Sequence, residues 1–272
     1  MTLHKVLVAT DLTVGSELAL ERTLNFCSGC NITLLHVLRA ALPDPLRMQL
    51  HDIVEGYLAD RAMYTAGAAG NMVRPVVATG HPATTIVTEA VSRSAELIVL
   101  GEPAVLRRPP LFVGTTAECV ARLTDRPLLM VKRAGSGPYQ RIVIALDGSP
   151  AAIRALRMAA ALAPEAEFRM IYAMTLGADA GEKKESLHDV KQRISHEVES
   201  AFTQTASAER GNVVTEILDI SPYTALRHAS ESADLLAMGT HSKAYWTTSL
   251  ELGRLAHHML AESASDVLVS PP

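Results

Sequence analysis

The sequence predicts two tandem α/β units, each a doubly wound parallel sheet of five strands flanked by helices. Three observations carry that expectation. Short apolar or β-branched runs alternate with helical patterns, the order of a parallel sheet joined by crossover helices. Runs such as "VLVAT" at 6–10 and "IVIAL" at 142–146 are apolar at nearly every position, as strands covered on both faces must be. The whole pattern also occurs twice.

The repeat shows in matched segments. "KVLVATDLT" at 5–13 aligns with "RIVIALDGS" at 141–149, "AELIVLGE" at 95–102 with "ADLLAMGT" at 233–240, and "RPLLMVK" at 126–132 with "SDVLVSP" at 265–271. Asp11 to Gly101 spans 90 residues and Asp147 to Gly239 spans 92, while Gly101 to Val131 and Gly239 to Val269 are both 30, so the halves share one frame. Between them "RAGSGPYQ" at 133–140 has the glycines, serine and proline of an exposed linker.

In chain order, strands are predicted at 4–10, 31–38, 73–79, 96–101 and 127–132, then at 141–147, 167–174, 212–219, 234–239 and 266–270, with helices between. The most regular helical pattern is 182–210, where Leu187, Val190, Ile194, Val198, Ala201 and Thr205 recur on one face and charges fill the other. Gly211-Asn212 supplies its stop.

Composition narrows the function classes. The chain has 272 residues, 48% of them hydrophobic and 20% charged, with a formal net charge of -4, so it can build one large core or two smaller ones. Its basic residues are scattered, without the stripe of a nucleic-acid binder. No apolar signal region opens the chain and no apolar run is long enough to span a bilayer, so a cytoplasmic protein without membrane contact is expected. Three cysteines make no disulfide framework and fit a reducing compartment.

In an open parallel sheet, ligands bind outside the carboxyl ends of the strands, where strand order reverses. That rule selects Asp11 and Thr13 after the first strand, His36 and Val37 at the end of the second, His81 after the third and Gly101 after the fourth. Their counterparts are Asp147, Ser149, Tyr172, Ala173, Ser221 and Gly239. A glycine after the fourth strand either admits backbone close to a ligand or simply ends the strand. Gly114-Thr115-Thr116 either offers N–H groups and hydroxyls to an anion or caps a helix.

Other constellations read more plainly. Asp11, His36 and His81 could bring one carboxylate and two imidazoles to neighbouring strand ends, a set suited to Zn2+ or another divalent ion. "CSGC" at 27–30 sits at the end of a helix, where the dipole raises a thiol pKa, and reads as structural rather than redox-active. His257 and His258 point about 100° apart on a helix and do not chelate together. The stretch around Trp246 forms either a lid on the second half or an apolar contact. No G-x-S-x-G elbow, H-E-x-x-H pair or complete Walker loop is present, so no catalytic residue is expected.

The duplicated frame, the aspartate after each first strand, "ADLLAMGT" and the closing apolar strands resemble the universal stress protein family in its tandem form, over nearly the whole chain. The resemblance implies a Rossmann-like fold with strand order 3-2-1-4-5, domains at 1–134 and 141–272, and a linker at 135–140. It implies an adenine nucleotide, ATP, ADP or AMP, with Mg2+. Asp11 and Asp147 would then lie near phosphates or metal, with Val37 and Ala173 at the adenine. Gly101, Gly114, Thr115 and Thr116 would cradle the phosphates in the first half, and Thr13, Leu100, Ser149, Met238, Gly239 and Gly253 complete the expected nucleotide-binding residues. The family spacing Gly-x2-Gly-x9-Gly-Ser/Thr is kept in the first half, with Ala104 for the middle glycine. In the second half Ser242 takes that middle place, and Leu252 stands in the slot of Gly114, ahead of Gly253-Arg254, which implies an altered site. Arg107 and Arg108 either reach a phosphate or face water.

Family members pair their fifth strands across a dimer, which implies that "PLLMV" and "DVLVS" pair inside this chain as a pseudo-dimer, with homodimerisation and a regulatory protein partner as further options. Three function classes result. The first is a stress-response protein that binds nucleotide and acts through occupancy. The second is a slow ATPase or nucleotidyl-transfer enzyme. The third is a degenerate scaffold for a metal or another small or apolar ligand.

Overall fold

In a computed structural model of the chain, the described residues are 3–41, 43–65, 70–103, 115–135, 137–173, 192, 212–240 and 252–272. They form two units, Thr2–Pro138 and Tyr139–Pro272. The first runs β1 (Lys5–Thr10), α1 (Val14–Phe26), β2 (Asn31–Arg39), α2 (Asp44–Thr65), β3 (Met72–Gly80), α3 (Pro82–Ser92), β4 (Leu97–Gly101), α4 (Thr116–Leu123) and β5 (Leu128–Val131). Every strand pair is parallel and the order is β3-β2-β1-β4-β5.

The second unit runs β6 (Arg141–Ala145), α5 (Pro150–Leu162), β7 (Glu167–Ala173), β8 (Val213–Leu218), α6 (Pro222–Ser232), β9 (Leu235–Gly239), α7 (Arg254–Glu262) and β10 (Asp266–Ser270). Its parallel order, β8-β7-β6-β9-β10, repeats the first. Strand ends fall within two residues of the sequence prediction throughout. The helix predicted over 182–210 lies outside the described residues, save Gln192.

The order explains the layering. The chain winds outward from β1 to β3, then crosses back to β4, and right-handed crossovers place α1 and α2 on one face and α3 and α4 on the other. On the first face the Glu17 carboxylate holds the Arg61 guanidinium and accepts from Tyr57 Oη at 2.9 Å. On the second face α3 packs against α4, as α6 does against α7. The strands between are buried: Leu7, Leu35, Leu97, Ile98, Val99, Leu128 and Leu129 are all at 0% exposure, as two-sided coverage requires. Strand order reverses between β1 and β4, and between β6 and β9, which opens a crevice at each pair's carboxyl ends.

The segment before the second unit is exposed yet fastened to α1. Arg22 Nη1 donates to the Gly137 carbonyl and Asn25 Nδ2 to the Gly135 carbonyl, each at 2.9 Å. A Cβ on Gly135 would lie 1.8 Å from the Arg22 guanidinium, so this glycine lets that side chain close over the backbone.

Candidate functional site

The first crevice is shaped by a hydrogen-bonded turn after β1. Leu12 takes a left-handed φ of 65°, which turns the chain from strand into helix within three residues. Its N–H donates to Thr10 Oγ1 at 3.0 Å. Ser16 Oγ accepts from the Thr13 N–H at 3.1 Å and donates to the Thr13 carbonyl at 2.9 Å. Its only proton is thereby placed, so the 2.9 Å contact between Thr10 and Ser16 is donated by Thr10. Asp11 Oδ1 accepts from the Thr13 N–H at 3.1 Å and the Thr13 hydroxyl at 2.6 Å, while the exposed carboxylate's second oxygen takes no bond from the turn.

A cavity of about 400 Å³ opens beside this turn. It brings together seven residues that the sequence reading singled out: Asp11, His36, Val37, Leu100, Gly101, Thr115 and Thr116. His36 Nδ1 sits 2.8 Å from the Thr10 carbonyl, which can only accept, so in the neutral ring the lone pair is on Nε2. Thr13 is not in the lining; it is the N-cap of α1 and hydrogen-bonds Asp11. His81 is likewise absent from it, an exposed N-cap of α3 ahead of Pro82. Gly114, Ala104, Arg107 and Arg108 lie outside the described residues.

α4 enters the cavity wall with a reciprocal cap. Thr115 Oγ1 accepts the Glu118 N–H at 3.2 Å, and Glu118 Oε2 accepts the Thr115 N–H at 2.8 Å. Thr115 therefore does cap a helix, and its N–H is committed there. Its hydroxyl proton is not used by that cap, and Thr116 and Ala117, whose N–H groups have no acceptor within the helix by position, also border the cavity.

The second unit repeats the turn with other chemistry. Gly148 has a φ of 72° where the first unit has Leu12, and Asp147 Oδ1 accepts the Ser149 N–H at 2.9 Å. The cavity here is about 210 Å³ and includes Asp147, Ala173, Met238, Gly239 and Gly253. Ser149 is buried in the cap of α5, taking the Ala152 N–H at 3.2 Å, and does not line it. Tyr172 and Ser221 are also absent from the lining.

Two frames of one design, each with a cleft at the carboxyl ends of its reversing strands, agree with what sequence comparison finds. The profile of the Universal stress protein family matches residues 2–132 and, a second time, residues 138–271. The chain belongs to the universal stress protein family. Among solved structures it is similar to a universal stress protein from Archaeoglobus fulgidus DSM 4304, at 20% identity over 98% of each chain with a TM-score of 0.75. It is also similar to a functionally unknown protein from Pseudomonas aeruginosa PAO1, at 19% identity over 99% of this chain and 93% of that one, with a TM-score of 0.59. At such identities the likeness establishes the tandem universal stress protein fold. No curated protein matches the chain.

Within this universal stress protein frame the metal set expected from Asp11, His36 and His81 is not assembled. Among the described residues, only His51, Asp52 and Glu55 bring three such donor atoms within 4.8 Å of one another. The reason is local: Asp11 turns one oxygen to Thr13, His36 turns Nδ1 to Thr10, and His81 stands at the start of α3 outside the cavity. The His51 group lies on α2 with side chains 42%, 87% and 65% exposed in that order.

The "CSGC" segment is structural. Asn71 braces it from both sides, accepting the Cys30 N–H at 2.8 Å and donating to the Cys27 carbonyl at 3.0 Å, around Gly29 at a φ of 68°. Burial, followed by the neighbouring Cys30, pushes the Cys27 thiol well above the usual cysteine range, the opposite of a reactive thiol.

Sequence reasoning missed Thr10, Ser16, Arg39, Pro82 and Ile86 in the first lining, and Pro222, Leu226 and Arg254 in the second. Pro82 and Pro222 had a legible signal, since each is a proline at the first position of a helix that begins within four residues of a strand end. Ile86 and Leu226 then follow one turn later. Thr10 and Ser16 had none, because their pairing depends on the left-handed turn between them. Among the described residues no helix is long and apolar enough to cross a membrane.

Proposed function

We propose that the chain binds an adenine nucleotide in the cavity of its first unit and acts through occupancy rather than turnover. The observation that carries this reading is the cavity of about 400 Å³ in which Asp11, Val37, Leu100, Gly101, Thr115 and Thr116 meet. That volume falls in the usual small-molecule range of about 300–1,000 Å³, and an apolar surround with a few convergent polar groups is what such sites use. Leu35, Val37, Ile86 and Leu100 offer the apolar surface for a base. Thr116 and Ala117 at the start of α4, with the Thr115 hydroxyl, offer donors to phosphate.

Asp11 fits a supporting role for Mg2+. It is exposed and keeps one carboxylate oxygen outside the turn, and Mg2+ is typically held by one or two carboxylates together with substrate phosphates. The ion would neutralise phosphate charge beside Asp11. Among the described residues lining the cavity, the hydroxyls of Thr10 and Ser16 donate to Ser16 and Thr13 in turn, which leaves neither poised as a nucleophile.

The test is calorimetry and thermal melting of the full chain with ATP, ADP and AMP, each with and without Mg2+. A ligand at a hundredfold over its Kd adds about 2.7 kcal/mol to native stability, so the melting temperature rises visibly. Asp11→Ala is expected to weaken MgATP by about tenfold or more while sparing AMP. If no adenine nucleotide moves the melting curve, the reading fails.

A further inference from the structure

We infer that the two cavities are inequivalent: the chain takes one nucleotide, in the first unit, and the second unit's cavity is closed to it. This rests on the nucleotide reading above. Three independent features of the second unit support it, all visible because the chain carries its own comparison.

Size comes first. The second cavity is about 210 Å³ against about 400 Å³ in the first, which drops it below the usual range of about 300–1,000 Å³ for small-molecule sites.

Lining comes second. At the carboxyl end of the first strand, Thr10 is replaced by Leu146, which is 6% exposed and lines the cavity. Ser16 is replaced by Ala152, so the hydroxyl pair of the first unit has no equivalent. His36, which lines the first cavity, is replaced by Tyr172, which is not in the second lining. Ile171 and Leu226 repeat the apolar positions of Leu35 and Ile86, so the difference lies at Leu146, which sets an alkyl group where the first unit has the Thr10 hydroxyl.

The helix entry comes third. In the second unit the Gly253 N–H donates to the Thr240 carbonyl at 3.3 Å, joining the start of α7 to the end of β9 across the place where a phosphate would be cradled. The approach is close enough that a Cβ on Gly253 would lie 2.8 Å from the same oxygen. A phosphate oxygen could take that N–H only by breaking the bond and parting the two elements, whereas the Thr115 N–H at the same place in the first unit is tied inside its own helix cap. Leu252 in the slot of Gly114 is the sequence counterpart of this shift. Arg254 is the one cation among the described lining residues. It draws anions to the rim without supplying volume or base contacts.

The experiment has two arms on the full-length chain. Calorimetry with AMP and with MgATP is expected to give one site per chain. Two sites overturn the inference, whereas none overturns the nucleotide reading on which it rests. Photolabelling with 8-azido-ATP and peptide mapping locates the site: label in 31–39 or 97–103 is expected, and label in 167–173 or 235–240 overturns the inference. Thr10→Leu with Ser16→Ala then copies Leu146 and Ala152 into the first unit. It is expected to lower affinity at least tenfold with an unchanged circular-dichroism spectrum. Unchanged affinity in that variant would overturn the lining argument, and the photolabelling arm decides independently should it fail to fold.

Discussion

Gly15 in the first turn of α1 and Gly101 at the end of β4 lie against each other with no room for a side chain on either. A Cβ on Gly101 would fall 2.1 Å from the Gly15 carbonyl oxygen, and one on Gly15 would fall 2.1 Å from the carbonyl oxygen of Glu102. The strand-end glycine therefore answers to the first turn of α1, whatever ligand lies beyond. In the second unit Gly239 meets Ala151 instead, where an added Cβ would lie 2.7 Å from a side-chain methyl and 2.9 Å from the Ala152 nitrogen. Gly101→Ala should cost about 1–3 kcal/mol, as overpacking of a tight site does, and more than Gly239→Ala. Urea denaturation of the two variants checks the order; equal or negligible losses would mean that α1 moves aside freely.

The cap of α4 makes a second prediction. Glu118 is 2% exposed and accepts the Thr115 N–H, so Glu118→Ala strands a part-buried donor and should cost about 1–3 kcal/mol. Glu118→Gln can rebuild the reciprocal cap and should recover most of that loss. Melting temperatures of the pair are the measurement, and a Gln variant no better than the Ala variant would refute the capping role.

Stability in acid should depend on Glu216. Arg169 grips its carboxylate with two hydrogen bonds, at 2.9 and 2.8 Å, and these hold its pKa below the ordinary value of 4.5. A group whose folded pKa is depressed contributes stability that is complete above the unfolded pKa and is lost as pH falls through the folded one. The contribution should thus be present at neutral pH and fade from about pH 4.5 downward. Glu216→Gln should flatten that part of the stability profile, followed by chemical denaturation between neutral pH and pH 3. A profile as steep as that of the parent chain would assign the acid loss elsewhere.

Thiol reactivity gives a fourth. Cys27 and Cys30 are buried, at 3% and 1% exposure, and Cys119 is intermediate. A disulfide reagent at pH 8 should label at most one thiol of the native chain and all three after denaturation. Rapid native labelling of Cys27 would contradict both its burial and its raised pKa.

Strand existence was legible because period and repetition are properties of the chain itself, whereas strand order followed from the resemblance to the family. Apolar runs between helical patterns mark two-sided burial, and a second copy with the same spacing turns each ambiguous run into a pair of observations. The aspartates, the strand-end glycines and the threonines of α4 were legible for the same reason: they sit at fixed offsets from strand ends. The grouping of Asp11, His36 and His81 was beyond the reach of sequence, because proximity in a list of strand ends ignores where each ring and carboxylate turns for its nearest hydrogen bond.

By itself, then, the sequence determined a duplicated parallel α/β frame, its crevices and the residues at their mouths, since these depend on local periodicity and on the handedness of crossovers. Only the tertiary structure decided what those residues do to one another. Gly101 is bare because α1 presses on it, Thr115 is tied to Glu118, His36 is pinned by Thr10, and Gly253 closes on Thr240. Each of these depends on a contact between elements that are far apart along the chain or on the conformation of a single turn, and no residue pattern encodes an approach of a few ångströms.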